Sequence, residues 1–365
     1  MANKNNNSSY TDIKYIKLAF EQAIINLGST SSNPSVGCVV VKNNSVISSG
    51  CTSLNGRPHA ESNALKKIID YKNADLYVSL EPCSHYGKTP PCIDKIIKKK
   101  IKRVIFSVAD TDIRSKNKAE KKLIYRKISV KKNILKNFGN DFYQSYFLQS
   151  LKQLPFIDAK LAISNDIYTI NRKAKWITNF KSRRLGNFIR SKYDCLVTTS
   201  KTINEDNPLL DCRIESMETK TPQLIVIDRN LSLKRNSKIF TKKKRKVFIL
   251  TETTNLFKEN FFKKKGVKII KVPVSKDKNY NLRNMFYIIK KLGFNRILIE
   301  SGLTFIGKLL ENKLIKNFYL FKSSKKLNLD GYNNSSFLLA KKVKISKKSQ
   351  IKVNLIEDTL YKVKL

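Results

Sequence analysis

The residue types best suited to metal chemistry lie in two short motifs in the first half of the chain. His59 lies in "RPHAESNAL", and Cys83 and Cys92 lie in "LEPCSHYGKTPPC". Catalytic zinc usually takes three protein ligands and keeps a fourth position open for water. His59, Cys83 and Cys92 supply such a set, and Glu61 is placed to move protons for the bound water. Zinc would lower the pKa of that water toward about 7.

The spacing of these residues restricts where they lie in the fold. Residues two apart do not share a helix face, so His59 and Glu61 can act together only at the first turn of a helix. Cys92 follows "TPP" at a predicted helix start, where the helix dipole favours a thiolate. An isolated histidine or cysteine is often only a packing residue, but both histidines of the chain fall in these motifs. We therefore expect a zinc site.

Alternating strands and helices must hold these motifs, which predicts an α/β protein. In the first half, "VGCVVVK" and "SVISSG" predict a hairpin, "DLYVSL" and "RVIFSVAD" buried strands, and "CIDKIIKKK" a helix, giving a three-layer arrangement. The weakly patterned "NFGNDFYQSYFLQSLKQLP" leads to a second series, from the strand "FIDAKLAIS" to the strand "NFYLFKS". We predict a disordered lead-in over 1–10, a first domain over 11–150 and a second over 151–365.

Composition limits the classes of protein further. No window approaches the roughly 18 uninterrupted apolar residues of a membrane helix, and the polar start lacks the apolar core of a signal peptide. We therefore expect a cytoplasmic protein without disulfides. The formal net charge of +45 invites nucleic-acid binding. However, the lysines are spread along the chain, which favours compositional drift that helps to attract anionic small molecules.

The spacing between the two cysteines narrows the function. The zinc deaminase signature has two residues between its cysteines, whereas eight, "SHYGKTPP", lie between Cys83 and Cys92. With "NPSVGCVVV" and "PHAESNAL", this segment resembles the deaminase half of the bifunctional riboflavin-biosynthesis deaminase/reductase. The resemblance implies a cytidine-deaminase-like fold and hydrolytic deamination of a phosphorylated diaminopyrimidine. It also implies substrate contacts from four polar residues, although the lysine could equally be a solvated loop residue: Asn33, His85, Lys88 and Thr89.

The second half resembles the reductase half of the same family, whose fold is like dihydrofolate reductase, in "KWITNF", "TSKTINEDNPLL" and "RILIESGLTFIGKLL". The last motif runs from a strand through a glycine into a helix, a junction that favours phosphate, although such turns are common. The resemblance implies NADPH as cofactor. The implied cofactor contacts are Ile163, Trp176, Thr202, Asp206, Arg229, Gly302, Leu303, Thr304, Phe305, Ile306, Gly307 and Lys308. The implied substrate contacts are Arg190, Leu210, Arg213 and Glu300.

Several positions depart from the family pattern. After "RVIFSVAD" the family continues with a Pro-Asn-Pro run and glycines, whereas this chain reads "TDIRSKNKAE". Ala174 stands where a substrate-binding serine is usual, so that Arg172, Lys173 or Lys175 could take over phosphate binding. Arg229 stands where a small polar residue is usual. It could reach the 2′-phosphate of NADPH or be an exposed cation.

We predict a bifunctional enzyme that deaminates a phosphorylated pyrimidine and then reduces its ribosyl chain with NADPH. A tRNA-editing zinc deaminase would need cysteines close together and no second domain, whereas this chain has eight residues between its cysteines and a predicted second domain. A basic RNA-binding protein with a structural zinc would need aromatic residues clustered with Lys and Arg, a pattern that this sequence does not show. A deaminase that has lost reduction is the third alternative. We expect small-molecule partners, neither membrane nor nucleic acid, and the sequence leaves open whether the chain forms a homo-oligomer.

Overall fold

The computed structural model describes residues 3–150, 154–241, 245–273, 281–343 and 345–365. The chain divides into two units, Met1–Gln153 and Leu154–Leu365. The predicted domain boundary after residue 150 stays a prediction, because residues 151–153 lie outside the described residues. Within the described ranges, no helix has both the length and the apolar character needed to cross a membrane.

The first unit is a five-stranded sheet with helices packed around it. Its strands are β1 (Gly37–Lys42), β2 (Ser45–Cys51), β3 (Asp75–Leu80), β4 (Arg103–Val108) and β5 (Ser129–Lys131). Its helices are α1 (Asn3–Ile25), α2 (Ala60–Ala64), α3 (Cys92–Lys98), α4 (Ala119–Tyr125), α5 (Lys136–Phe142) and α6 (Gln144–Ser150). The strand order is β2-β1-β3-β4-β5. Strand β1 is antiparallel to β2 and β3, whereas β3, β4 and β5 are parallel.

Two segments of the first unit differ from the sequence-based expectation. Residues 3–10, predicted as a disordered lead-in, lie inside α1, where no proline or glycine interrupts the helix. The weakly patterned segment contains α5 and α6. Aromatic contacts stabilise these helices: the ring of Phe142 lies 5.2 Å from that of Phe20 in α1, and the ring of Tyr143 lies 6.2 Å from it. Tertiary packing of this kind is not visible in the local apolar pattern.

The sheet brings the two metal-type motifs to one edge. Helix α1 lies directly on β1, since a Cβ added to Gly37 would come within 1.9 Å of the Ala19 carbonyl oxygen. His59 is the N-cap of α2, and Cys92 is the first residue of α3. Cys83 lies three residues after β3. The carboxyl ends of parallel strands face one edge, which is where α/β sheets build their sites.

The second unit is a nine-stranded sheet with a small two-stranded ribbon. Its strands are β6 (Phe156–Ile163), β7 (Tyr168–Asn171), β8 (Cys195–Thr199), β9 (Gln223–Ile227), β10 (Val247–Thr251), β11 (Lys268–Lys271), β12 (Arg296–Ile299), β13 (Asn317–Lys322), β14 (Gly331–Asn334), β15 (Gln350–Ile351) and β16 (Thr359–Lys364). Its helices are α7 (Phe180–Arg190), α8 (Ser200–Asp206), α9 (Leu256–Lys264), α10 (Leu282–Lys291), α11 (Leu303–Glu311) and α12 (Ser336–Lys342). The main order is β11-β10-β9-β8-β12-β6-β13-β16-β15, and β14 pairs with β7.

Parallel pairing places the predicted cofactor residues at neighbouring strand ends. Within the main sheet, neighbouring strands from β11 across to β13 are parallel. Strands β16 and β15 add an antiparallel edge beyond β13. Strands β9, β8, β12 and β6 are therefore consecutive neighbours with the same direction. Arg229, Thr202 and Gly302 follow the carboxyl ends of β9, β8 and β12, and Ile163 ends β6.

Candidate functional site

The three predicted metal ligands of the first unit converge. The ligand atoms of His59, Cys83 and Cys92 all lie within 4.8 Å of one another. The Nδ1 atom of His59 is 3.6 Å from the Cys83 sulfur and 3.4 Å from the Cys92 sulfur. Around a tetrahedral zinc with bonds of about 2.0 and 2.3 Å, a nitrogen and a sulfur ligand lie about 3.5 Å apart. The donor set and its spacing therefore fit a zinc ion, with one position left for water.

Local structure explains this convergence. His59 is the N-cap of α2 and has an extended backbone, and its side chain does not cap the helix. The backbone N–H of Cys92 donates to the Cys83 sulfur at 3.3 Å, which closes the intervening loop onto itself. The pKa of the Cys83 thiol is lowered to about 4 by the hydrogen bond from the Cys92 thiol and by His59. The loop thus already stabilises one thiolate.

Glu61 lies beside the ligands in a buried position. Its side chain is only 4 % exposed. Burial, together with the neighbouring Cys83, raises the pKa of Glu61 to about 7. A carboxyl group in such surroundings can hold or release a proton near neutral pH, which suits a proton carrier. The histidine and the glutamate therefore both lie at the start of α2, as the sequence predicted.

A cleft opens beside the ligands. Two of the predicted substrate residues, Asn33 and His85, line it. Asn33 donates to the Gly56 carbonyl oxygen at 2.8 Å. Lys88 and Thr89 are exposed and do not belong to the lining. The hydroxyl of Thr89 instead accepts a hydrogen bond from Arg57 at 2.5 Å.

The segment after β4, which lacks the family's prolines and glycines, is held by carboxylates. Buried Glu81 accepts backbone N–H groups from Asp110, Asn117 and Ala119 at 3.1, 3.1 and 3.2 Å. Asp110 in turn accepts the Asp112 N–H at 3.0 Å. These bonds fix the loop, and through it Asp112 reaches the cleft wall.

Several residues of the cleft lining were not predicted from the sequence. Arg57, Asp112, Arg114 and Tyr146 all face the cleft. Arg57 lies two residues before His59 in the same motif, so its closeness in sequence was the available signal. Tyr146 comes from α6 and donates to Asp110 at 2.9 Å. No local pattern indicates that contact.

In the second unit, a cluster of hydroxyl groups joins two strand ends. The hydroxyl of Thr202 lies 3.3 Å from that of Ser301, and Thr199 lies 3.1 Å from both. Gly302 is the exposed N-cap of α11, and a Cβ added there would meet nothing within 4 Å. The first backbone N–H groups of a helix have no partner within the helix. This open helix start beside the hydroxyl groups can hold an anionic group.

The remaining predicted cofactor residues have three kinds of surroundings. Leu303, Thr304 and Phe305 form the first turn of α11 and offer backbone N–H groups there. The side chains of Ile306 and Ile163 lie in the core, which leaves only their backbone for a cofactor. The other four are Gly307, Lys308, Asp206 and Trp176. A Cβ added to Gly307 would contact Leu338, and the side chains of Lys308 and Asp206 are exposed. The guanidinium of Arg183 stacks on the Trp176 ring at 4.9 Å.

The predicted substrate residues of the second unit form one connected network. Arg190 donates to Glu300 through Nε and Nη2 at 2.5 and 2.9 Å, and Lys160 donates to the same carboxylate at 3.1 Å. Arg190 also donates to the Asp211 carbonyl oxygen at 3.0 Å, next to Leu210. Arg213 lies 3.3 Å from the Asp211 carboxylate and is half-exposed.

Two of the departures find partners within the protein. Arg229 donates to Glu252 through Nε and Nη2 at 3.0 and 2.9 Å. The Ala174 segment begins with a turn in which Asn171 accepts the N–H groups of Lys173 and Ala174. Arg172 stacks on Tyr332 at 4.9 Å. The arginine next to β9 is therefore already neutralised by a carboxylate.

Comparison with known proteins assigns a family to each unit. Residues 9–108 match the cytidine and deoxycytidylate deaminase zinc-binding region, and residues 155–327 match the RibD C-terminal domain. The riboflavin biosynthesis protein RibD of Aquifex aeolicus is 30% identical over 317 residues, covering 86% of this chain and 87% of the relative. RibD of Buchnera aphidicola subsp. Baizongia pistaciae is 31% identical over 352 residues, covering 89% and 92%.

A solved structure supports the same assignment over the whole length. It is the diaminohydroxyphosphoribosylaminopyrimidine deaminase/5-amino-6-(5-phosphoribosylamino)uracil reductase of Thermotoga maritima. It is 25% identical, with a TM-score of 0.79, and the match covers 98% of this chain and 99% of that one. Fold and site together define a zinc-dependent deaminase unit joined to a nucleotide-dependent reductase unit. The chain belongs to the RibD family of riboflavin biosynthesis proteins, which are bifunctional enzymes.

Proposed function

We propose that the chain catalyses two consecutive steps of riboflavin synthesis. The first is hydrolytic deamination of 2,5-diamino-6-(5-phosphoribosylamino)pyrimidin-4(3H)-one, and the second is NADPH-dependent reduction of the product to 5-amino-6-(5-phosphoribitylamino)uracil. The observation that carries the proposal is the convergence of His59, Cys83 and Cys92 beside buried Glu61, in a chain of the RibD family.

In the first unit, His59, Cys83 and Cys92 would hold the zinc. Zinc, when bound, supplies the acidification of a water molecule, whose pKa falls toward about 7. Glu61 would take a proton from that water and give one to the departing ammonia, because its carboxyl group borders the ligands in a water-poor position. Asn33 and His85 line the cleft and would orient the pyrimidine. Lys88 and Thr89 would act from the exposed rim.

In the second unit, NADPH supplies the hydride, and the protein binds and orients the two reactants. The open first turn of α11 after Gly302, with Thr202 beside it, would hold a cofactor phosphate. The hydrogen bond from Arg190 fixes the side chain of Glu300, the residue that follows β12. Arg213 is half-exposed at the edge of this network and would meet the substrate phosphate.

The test supplies zinc-loaded protein with the diaminopyrimidine phosphate, with and without NADPH, and identifies products by mass. We expect the deaminated product in both cases and the ribityl product only with NADPH. Glu61→Gln should keep its zinc and lose deamination by a factor of about 100 or more. The matched control is Glu120→Gln, which removes a carboxylate paired with Lys132 outside the cleft and should deaminate normally.

Each outcome separates the two steps. A Glu61→Gln variant that deaminates as fast as the wild type would remove this carboxyl from its proposed role. Deamination without reduction when NADPH is added would support the alternative of a deaminase whose reductase unit is impaired. That alternative has a structural basis, because Glu252 already holds Arg229 and Ala174 carries no hydroxyl.

A further inference from the structure

Arg57 occupies an unusual position at the deaminase cleft. It is half-buried and lines the cleft, and its Nη1 atom donates to the Thr89 hydroxyl. Among the described residues, no carboxylate lies within ion-pair distance of its guanidinium. Arg114, the other arginine of the lining, is paired with Asp112 at 2.5 Å. The positive charge of Arg57 is therefore not neutralised by the protein around it, and it faces a cleft.

The Nη2 atom of Arg57 and the Nε2 atom of His85 both lie close to Gly87. A Cβ added to Gly87 would lie 3.7 Å from Nη2 of Arg57 and 3.8 Å from Nε2 of His85, with nothing else within 4 Å. A methyl group at this position would thus be in van der Waals contact with both nitrogens, whereas glycine places no side-chain atom there.

The hydrogen-bond pattern allows His85 to be a donor on the side of Gly87. The Ser115 hydroxyl oxygen accepts the Ser84 N–H at 3.2 Å and lies 2.7 Å from Nδ1 of His85. A serine hydroxyl that accepts one bond can donate its own proton to Nδ1, which leaves the ring proton on Nε2. The Gly87 N–H donates to the Thr89 carbonyl oxygen at 3.2 Å. The loop between the cysteines is therefore held by Ser115 at Ser84 and His85 and by its own backbone at Gly87.

We propose that Nη2 of Arg57 and Nε2 of His85 form an anion subsite over Gly87, which binds the phosphate of the deaminase substrate. Charge-assisted hydrogen bonds to phosphate are about 2.8 Å long, so two donors that flank one point can each reach a different oxygen of one phosphate. This assignment rests on the proposed deaminase function for the identity of the phosphate ester. It makes Arg57 a specificity-determining residue that favours the phosphorylated pyrimidine over the free riboside.

The test compares deamination of the phosphorylated pyrimidine with that of its dephosphorylated riboside. In Arg57→Gln, we expect KM for the phosphorylated substrate to rise about 10- to 100-fold, and KM for the riboside to change less than about twofold. Arg57→Lys should lie between the two proteins. Arg126→Gln is the charge control, because it removes an exposed cation of the same unit outside the cleft lining. It should behave as the wild type does with both substrates.

Two further measurements keep the test decisive. Zinc content is measured for each protein; if Arg57→Gln loses zinc, then Gly87→Ala, which adds only a methyl group between the donors, should raise the same KM selectively. Binding of ribose 5-phosphate to the zinc-loaded full chain is measured by calorimetry, with ribose as control, and should weaken at least about tenfold in Arg57→Gln. The difference between the two proteins isolates this subsite from phosphate sites of the second unit.

The outcomes are distinguishable. Equal losses for both pyrimidines in a zinc-loaded variant, or no loss for either, would overturn the subsite. If the wild type deaminates neither pyrimidine, the proposed function fails. The ribose 5-phosphate measurement then still decides the subsite: unchanged binding in Arg57→Gln refutes it, and weakened binding supports an anion site for free sugar phosphates.

Discussion

The buried carboxylate of Glu300 offers a prediction whose size follows from the structure. Glu300 is only 7 % exposed and accepts two hydrogen bonds from Arg190 and one from Lys160. Burial alone would raise the pKa of Glu300, but the two cations outweigh it and hold the pKa well below its ordinary value. Arg190 is also buried, with 11 % of its side chain exposed. The charges therefore depend on each other.

Glu300→Gln removes the negative charge and keeps the shape of the side chain. The glutamine offers one acceptor oxygen, and its amide N–H groups face the cations. Removal of one partner from a buried ion pair typically costs about 3–5 kcal/mol, because it leaves an uncompensated buried charge. We expect the second unit to lose stability by about this amount at pH 7.

Urea unfolding measured by tryptophan fluorescence is the appropriate assay. The single tryptophan of the chain, Trp176, lies in the second unit, so its signal reports that unit alone. Glu252→Gln is the matched control, since its partner Arg229 is 44 % exposed. A pair with one exposed member contributes about 0–1 kcal/mol. A Glu300→Gln variant no less stable than the Glu252→Gln control would refute the argument.

The pH dependence gives a second check on the same variant. A depressed pKa in the folded state stabilises the protein above the unfolded glutamate pKa of about 4.3, and this contribution is lost as pH falls toward the folded value. The stability difference between wild type and Glu300→Gln should therefore be full at pH 7 and shrink below about pH 4. A difference that grows on acidification would contradict the assigned sign.

Two further predictions concern the metal and the cofactor. Cys92→Ser should lose zinc and the deamination step, while the reductase step on the deaminated substrate continues; metal analysis and NADPH consumption test this, and full zinc content in the variant would count against the ligand set. Arg229→Gln should change the preference for NADPH over NADH by less than about threefold, because Glu252 already pairs with this arginine. A tenfold fall in preference, from initial rates with both cofactors, would show that Arg229 reaches the 2′-phosphate instead.

Much of the fold follows from local patterns in the sequence. Continuous apolar runs such as "RVIFSVAD" and "QLIVID" predict buried strands, which are β4 and β9. The "HAE" spacing requires a helix start, and His59 is indeed the N-cap of α2. The convergence of His59, Cys83 and Cys92 was predictable because metal binding is restricted to a few residue types, and because the chain has only two histidines.

What could not be predicted depends on contacts between distant residues. Arg190 and Glu300 are 110 positions apart, so no local pattern indicates that they pair with each other. Strand β7 pairs with β14 through short polar segments that carry no clear alternation. The role proposed for Arg57 depends on its contact with Thr89 and its closeness to Gly87, neither of which the sequence shows. Contacts of this kind can be recognised only when the three-dimensional structure is known.

The segment after β4 shows how different residues can fix a cleft wall. Proline fixes a backbone torsion and glycine permits torsions that other residues avoid, whereas here Glu81 holds three N–H groups as a buried acceptor. The loop in turn presents Asp112, and the guanidinium of Arg114 lowers the pKa of that carboxyl to about 2. The aspartate therefore stays charged but is neutralised by its own neighbour. Because the charges of Asp112 and Arg114 neutralise each other, Arg57 is the arginine of the cleft lining whose positive charge remains to attract a phosphate.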